Sequence, residues 1–166
     1  LLRPAYVALG SNLEDPERQV HLAMDALAAH PALRVEARSR LYRSSPLGPQ
    51  DQPDFINAAV GLVTALDAHA LLGELLGVER RMGRDRRERW GPRIIDLDLI
   101  WMVGAPIDTP ELTLPHPGVP VRNFVLYPLN DIAPSLRIPG AGRVADLAGR
   151  IGAAGISLVD DLRGTA

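Results

Sequence analysis

Two aspartates stand two positions apart inside a stretch that otherwise reads as buried strand. From Ile94 to Met102 the residues are apolar and mostly branched, interrupted only by Asp96 and Asp98. Successive strand side chains point to opposite faces. The pattern therefore predicts Ile94, Asp96, Asp98, Ile100 and Met102 on one face, with Ile95, Leu97, Leu99 and Trp101 on the other. Aspartate is disfavoured in strands, and two like charges on one face repel unless a cation compensates them. Two strand residues advance the chain by roughly 6.6 Å, a spacing from which both carboxylates can reach one divalent ion or a pair about 3.5–4 Å apart. The alternative is a structural ion pair, with Arg93 or another arginine as the cation.

The preceding segment favours a functional reading. Arg80, Arg81, Arg84, Arg86, Arg87, Arg89 and Arg93 fall within fourteen residues. A carboxylate pair beside such a cluster is a phosphate-handling constellation. With a formal charge of -2, the cluster is a local feature rather than part of a basic protein. All 18 basic residues are arginine, which excludes a P-loop lysine, a kinase strand lysine and a Schiff base. Aromatics at 4% argue against a base-stacking platform, so no nucleic-acid partner is expected. The chain has no cysteine, no signal-like segment and no apolar run long enough to cross a bilayer. A single domain over residues 1–166, cytoplasmic, monomeric and without a membrane partner, is the expectation.

Along the chain, Ala5–Leu9 reads as a strand and Gly10-Ser11-Asn12 as a structural turn. Asp15 is placed to cap a helix, Pro16 suits its first position, and Val20, Ala23, Met24 and Leu27 form its stripe until His30-Pro31. Leu33 to Arg43 alternates as one half-exposed strand. Ser44 to Asp54 is a loop rich in proline and glycine, long enough to be functional. Leu47, Phe55 and Asn57 around it can frame a flat ligand, with an apolar wall and an amide offering both donor and acceptor. A strand over Phe55–Leu66 and a helix over Ala68–Met82 follow, the helix turning Leu71, Leu72, Leu75, Leu76 and Val78 to the core. Glu79 sits at the unfavourable end of the helix dipole, suited to an arginine or to a ligand. Gly83 to Arg93 is a loop expected to order over a phosphate chain. Further on, Leu112 to Pro117 is extended, His116 and Arg122 suit a second phosphate contact, and Val144–Ile151 is a small helix.

Four motifs in order, Ala8-Leu9-Gly10-Ser11-Asn12, Pro46 to Asn57, Trp90 to Ile100, and Leu114-Pro115-His116 with Arg122-Asn123-Phe124, resemble the 6-hydroxymethyl-7,8-dihydropterin pyrophosphokinase family. The resemblance implies transfer of pyrophosphate from ATP to the pterin hydroxymethyl group. It implies two Mg²⁺ ions on Asp96 and Asp98, with Arg84 and Arg93 completing the catalytic set. Ser44, Ser45, Leu47, Phe55, Asn57 and Phe124 would hold the pterin. Glu79, Arg84, Arg86, Trp90, Arg93, Leu99, Thr113, His116 and Arg122 would hold ATP. Phe55 and Pro117 depart from the tyrosines common at those positions, and the arginine loop is slightly short. The order strand, helix, strand, strand, helix, strand predicts an α+β, ferredoxin-like fold with helices on an antiparallel-dominated sheet. Two rivals share that topology: a non-catalytic nucleotide- or pterin-binding module and an RNA-binding domain. The second has no use for the Asp-x-Asp pair.

Overall fold

In this computed structural model, which describes residues 1–46, 51–83 and 94–159, the apolar opening stretch forms a central strand, β1 (Arg3–Ser11). It pairs antiparallel with β4 (Phe55–Thr64) on one side and β5 (Asp96–Met102) on the other. Gly10 and Ser11 are thus strand rather than turn. Gly10 stands opposite Asn57 in β4 and opposite Asp96 in β5, and a ladder on both sides outweighs glycine's weak strand preference.

The first helix, α1 (Pro16–Ala29), follows its sequence signals. The Asp15 side chain accepts the Arg18 N–H, and Val20, Ala23, Met24 and Leu27 are buried. Beyond it, the single strand expected over Leu33–Arg43 is two, β2 (Leu33–Arg38) and β3 (Tyr42–Ser44), both paired with β4. Side chains replace backbone partners at the break. Ser39 Oγ accepts the Ala59 N–H at 2.8 Å and donates to the Arg40 carbonyl at 2.7 Å, while the Arg40 N–H turns to Asp131 Oδ2 at 3.1 Å. This is the local competition that hydroxyl and carboxylate side chains offer to a ladder.

The second helix, α2 (Ala68–Arg81), starts at Asp67, whose carboxylate accepts the Ala70 N–H at 2.9 Å. Leu71, Leu75 and Val78 are buried, whereas Leu72 and Leu76 are only partly covered, so the core-facing stripe is narrower than expected. Across from it, β5 carries a further departure. Tyr6 pairs with Trp101 and Val7 with Leu99, which leaves Ile100 as an extra residue. A bulge of this kind reverses the alternation beyond it. Trp101 therefore joins Ile100 on one face, against Tyr6 at 5.6 Å between ring centres, and Met102 joins Leu97 and Leu99 on the other. The bulge leaves the two aspartates unaffected.

The rest of the chain adds β6 (Ile107–Asp108) and β7 (Thr113–Leu114), a cis peptide at Leu114–Pro115, a 3-10 turn over Val119–Val121 and α3 (Asn123–Ile132). A two-stranded ribbon, β8 (Arg137–Ile138) with β9 (Gly142–Arg143), leads to α4 (Val144–Ile151), and β10 (Ile156–Leu158) returns to pair with β3. The main sheet runs β10-β3-β4-β1-β5, with β2 also on β4. All its pairings are antiparallel. With α1 and α2 over Val7, Leu9, Ile56, Val60 and Leu97, and α3 and α4 over Tyr6, Ala8, Ile100 and Trp101, the architecture is the expected α+β, ferredoxin-like one.

Candidate active site

The site is built on the α3 face of the sheet. Asn57, Gly10 and Asp96 are register partners across three adjacent strands, and Ala59, Ala8 and Asp98 form the next row. Strands lie about 4.8 Å apart, so roughly 9.6 Å separates the outer members of each row. The middle strand offers only a hydrogen and a methyl group there. A Cβ added to Gly10 would lie 3.4 Å from Asn57 Oδ1. Small residues on β1 thus make the floor of a cleft of about 380 Å³, lined by Ser44, Ser45, Gln52, Phe55, Asn57, Asp96, Asp98, His116, Arg122 and Phe124.

A second cleft, about 340 Å³, lies toward α2 and is lined by Leu72, Leu76, Glu79, Leu97, Leu99 and Thr113, together with Asp98 and His116. Asp98 and His116 line both clefts, so the two spaces meet at this pair. The described members of the expected pterin set all line the first cleft. Glu79, Leu99 and Thr113 of the expected ATP set line the second, and Arg122 lines only the first. Leu47, Arg84, Arg86, Trp90 and Arg93 lie outside the described residues.

Hydrogen bonds orient these groups. Asn57 Nδ2 donates to Ser44 Oγ at 2.7 Å and to the Tyr42 carbonyl at 3.5 Å. The amide's donor side is therefore engaged by the protein, unlike the free donor and acceptor expected from the sequence. His116 Nδ1 accepts the Gly118 N–H at 2.9 Å, which puts the proton of the neutral ring on Nε2. Burial holds the imidazole below its ordinary value; Asp98 opposes that shift and Arg122 reinforces it. The guanidinium of Arg122 stands 6.0 Å from the centre of the Phe124 ring, within cation–π range. A Cβ on Gly118 would come within 3.0 Å of that guanidinium, so glycine there leaves Arg122 its position.

The start of β5 is held from two directions. Ser11 Oγ donates to the Ile94 carbonyl at 2.5 Å. From α2, the buried Glu79 carboxylate accepts the Leu97 N–H at 2.6 Å. Next to Ser11, Asn12 Nδ2 reaches the Pro53 carbonyl at 3.3 Å and Gln52 Oε1 at 3.4 Å. The Gly10-Ser11-Asn12 segment, read from sequence as a connection, is thus the cleft floor and a brace for two of its walls. Ala8, Gly10 and Gln52 stand in two of the four motifs, but the sequence reading gives none of them a place in the site. The signal available for Gly10 was a glycine two residues after Ala8 in a strand pattern, which marks a close approach.

Asp96 and Asp98 supply hard oxygen donors on one face. Among the described residues no three His, Cys, Asp or Glu side chains gather as a metal cage. Two carboxylates at the mouth of a cleft suit a small divalent ion that completes its shell with water and phosphate oxygens.

Comparison with known proteins decides the family. Residues 6–134 match the model of the 7,8-dihydro-6-hydroxymethylpterin-pyrophosphokinase (HPPK) family. The chain belongs to this family. It is 45% identical over 147 residues to the 2-amino-4-hydroxy-6-hydroxymethyldihydropteridine pyrophosphokinase of Pseudomonas aeruginosa, covering 89% of this chain and 91% of that one. The protein of the same name from Methylorubrum extorquens is 44% identical over 156 residues, covering 94% and 98%. Among solved structures, Plasmodium falciparum HPPK-DHPS with pterin and p-hydroxybenzoate superposes with a TM-score of 0.69 at 14% identity. That likeness covers 90% of this chain but only 43% of the larger protein, and at such identity it speaks for the fold. Membership carries ATP-dependent pyrophosphokinase activity and a place in folate biosynthesis.

Proposed function

We propose that the pterin occupies the cleft floored by Gly10, that ATP lies along the Glu79 cleft, and that Asp96 and Asp98 hold two Mg²⁺ ions where the clefts meet. The reaction is that of the family: ATP gives its pyrophosphoryl group to the hydroxymethyl group of 6-hydroxymethyl-7,8-dihydropterin, and AMP leaves. The hydroxyl oxygen bonds to the β-phosphorus and loses its proton, while the bond from that phosphorus to the oxygen bridging the α-phosphate breaks. The single observation that carries this reading is the alignment of Asn57, Gly10 and Asp96 across three strands. It supports a flat ring between an amide and a carboxylate, with the next carboxylate, Asp98, opening into both clefts.

In this reading Phe55 and Phe124 stack on the ring, Asn57 Oδ1 reads its polar edge, and Ser44 and Ser45 close the side toward β3. His116 donates from Nε2 to a phosphate oxygen as a neutral group, and Arg122 adds charge beside it. Glu79, Leu99 and Thr113 line the nucleoside side. Leu47 for the pterin, and Arg84, Arg86, Trp90 and Arg93 for the triphosphate, extend the proposal by resemblance. Bound Mg²⁺ would neutralise charge on the triphosphate and orient its oxygens. A monomeric enzyme with one domain over residues 1–166 is part of the same proposal. A cysteine-free chain without a described helix long and apolar enough to cross a membrane suits a cytoplasmic setting.

Phosphorus NMR of the protein with ATP, Mg²⁺ and reduced 6-hydroxymethylpterin tests the reading. Pterin-dependent AMP and a pterin diphosphate are expected. Accumulating ADP would mean that a single phosphoryl group moves, and binding of both ligands without turnover would return the non-catalytic module.

A further inference from the structure

We propose that Glu79 is a positioning residue for the carboxylate pair: from the nucleotide-side cleft it fixes the peptide between Asp96 and Asp98 and so sets where their carboxylates converge. This rests on the reading of Asp96 and Asp98 as metal ligands. Three observations support it. Glu79 is 3% exposed although it is ionisable and sits in the last turn of α2, where the helix dipole disfavours a negative charge. Its Oε2 takes the Leu97 N–H at 2.6 Å, and Leu97 is the residue that separates the two aspartates. Among the described residues β5 is the edge strand of the sheet, and no further strand there supplies an acceptor for that amide.

The geometric consequence follows from the pleat. Rotating the Leu97 peptide swings the Cα–Cβ bonds of Asp96 and Asp98 relative to one another, and carboxylates that share an ion tolerate little of that. Ser11 secures the strand two residues before Asp96 through the Ile94 carbonyl, and the His116 N–H meets the Ile100 carbonyl at 2.9 Å two residues after Asp98. Between those points the β1 ladder holds one side of the strand, and Glu79 supplies the hold on the other. It also lines the cleft that contains Asp98 and His116, so a nucleotide pressing on its side chain acts on the metal pair through one peptide.

The length and the charge of the side chain make separable contributions. Glu79→Asp keeps the charge but withdraws the oxygen by a methylene; Glu79→Gln loses the charge but keeps an acceptor oxygen at the same reach. On the full chain, binding of Mn²⁺ alone is measured by water-proton relaxation, and amide exchange at Leu97 by NMR. Wild-type Mn²⁺ binding that disappears in Asp98→Ala establishes the ligand reading; if it persists, that reading falls, and Leu97 exchange still tests the brace. The expected result is an Mn²⁺ affinity reduced about tenfold or more in Glu79→Asp, as for other partners that orient metal ligands. Glu79→Gln should lose distinctly less and retain slow Leu97 exchange. Equal or greater loss in Glu79→Gln would assign Glu79 a charge or ligand role and overturn the proposal, as would unchanged affinity and Leu97 exchange in Glu79→Asp. Should Glu79→Asp fail to fold, Leu97 exchange in Glu79→Gln decides alone: fast exchange there overturns the brace.

Discussion

The α3 side of the sheet carries two carboxylate constellations that differ in what they leave for a ligand. Around Asp131, at the end of α3, the protein itself supplies the partners. Arg40 donates through Nε at 3.1 Å and Nη2 at 2.8 Å, the Arg40 backbone N–H at 3.1 Å and the Tyr42 hydroxyl at 2.8 Å. The Asp131 side chain is 12% exposed. Burial alone would raise its carboxyl, but these hydrogen bonds outweigh burial and hold it below its ordinary value. Asp96 and Asp98 stand on one strand face and both line the first cleft, while Asp98, which is exposed, also lines the second. A carboxylate with its lone pairs used by a bidentate arginine and a phenol secures a loop. Carboxylates that line a cleft, one of them exposed, stand within reach of whatever enters it.

The largest effect expected from this contrast is at Asp98. Asp98→Ala should reduce Mg²⁺-dependent turnover by roughly a thousandfold, the equivalent of about 4 kcal/mol of lost charge stabilisation. Its melting temperature should stay close to that of the parent, because the side chain is exposed. Near-normal turnover with Mg²⁺ would remove the metal role and with it the contrast. Next comes the cleft floor. Gly10→Val places a β-branched side chain, well suited to a strand, into the space between Asn57 and Asp96. Pterin affinity should fall by about tenfold or more, roughly 1.4 kcal/mol, while the protein stays folded. Calorimetric titration with the pterin would show it, and unchanged affinity would place the ring elsewhere.

These two sites also mark what a sequence can disclose. Asp96 and Asp98 were legible because charge inside an apolar strand pattern breaks a local rule, and α1 was legible because cap, first-turn proline and apolar spacing agree. The α+β order followed from such segments. Gly10 was misread because a glycine followed by serine and asparagine has the composition of a turn, and only its two strand partners keep it extended. The bulge at Ile100 left no local trace, since Ile100, Trp101 and Met102 are all apolar and their faces are decided by pairing with Tyr6 and Val7. Asp131 gives no signal in the sequence for a related reason. Its partners, Arg40 and Tyr42, lie about ninety residues away in sequence, and nothing near Asp131 hints at them. Glu79 was noted at its helix end, but its bond to Leu97 depends on how α2 lies against β5.

The other half of the contrast predicts a change in stability without a change in chemistry. Asp131→Ala leaves the Tyr42 hydroxyl and the Arg40 backbone N–H without their acceptor. The expected loss is about 1–2 kcal/mol, chiefly from the part-buried Tyr42 hydroxyl left unpaired, since water reaches the exposed Arg40 N–H. Turnover should remain within about threefold, because Tyr42 meets Asn57 through its backbone carbonyl and not through the hydroxyl that Asp131 holds. A collapse in turnover at unchanged stability would show that the Asp131 network reaches the active site.

The smallest effect concerns pH. Burial first, and then its bond to Asp131, push the Tyr42 phenol up to about 12 from an unfolded value near 10. The folded state therefore favours the protonated phenol. Its contribution is fully present below about pH 10 and is lost as pH rises toward about 12. Asp131 has the opposite sign: its depressed carboxyl contributes above the unfolded value near 3.9 and loses that contribution as the solution becomes more acidic. Tyr42→Phe removes the Tyr42 share of the alkaline dependence, leaving that of the Tyr6 phenol, which burial also raises, and keeps the ring against Tyr127 at 6.1 Å. Denaturant midpoints measured from pH 9 to pH 12 should fall more steeply for the parent than for Tyr42→Phe. Parallel curves would mean that the phenol titrates alike in both states, and the hydrogen bond to Asp131 would then contribute little to keeping β3 and α3 together.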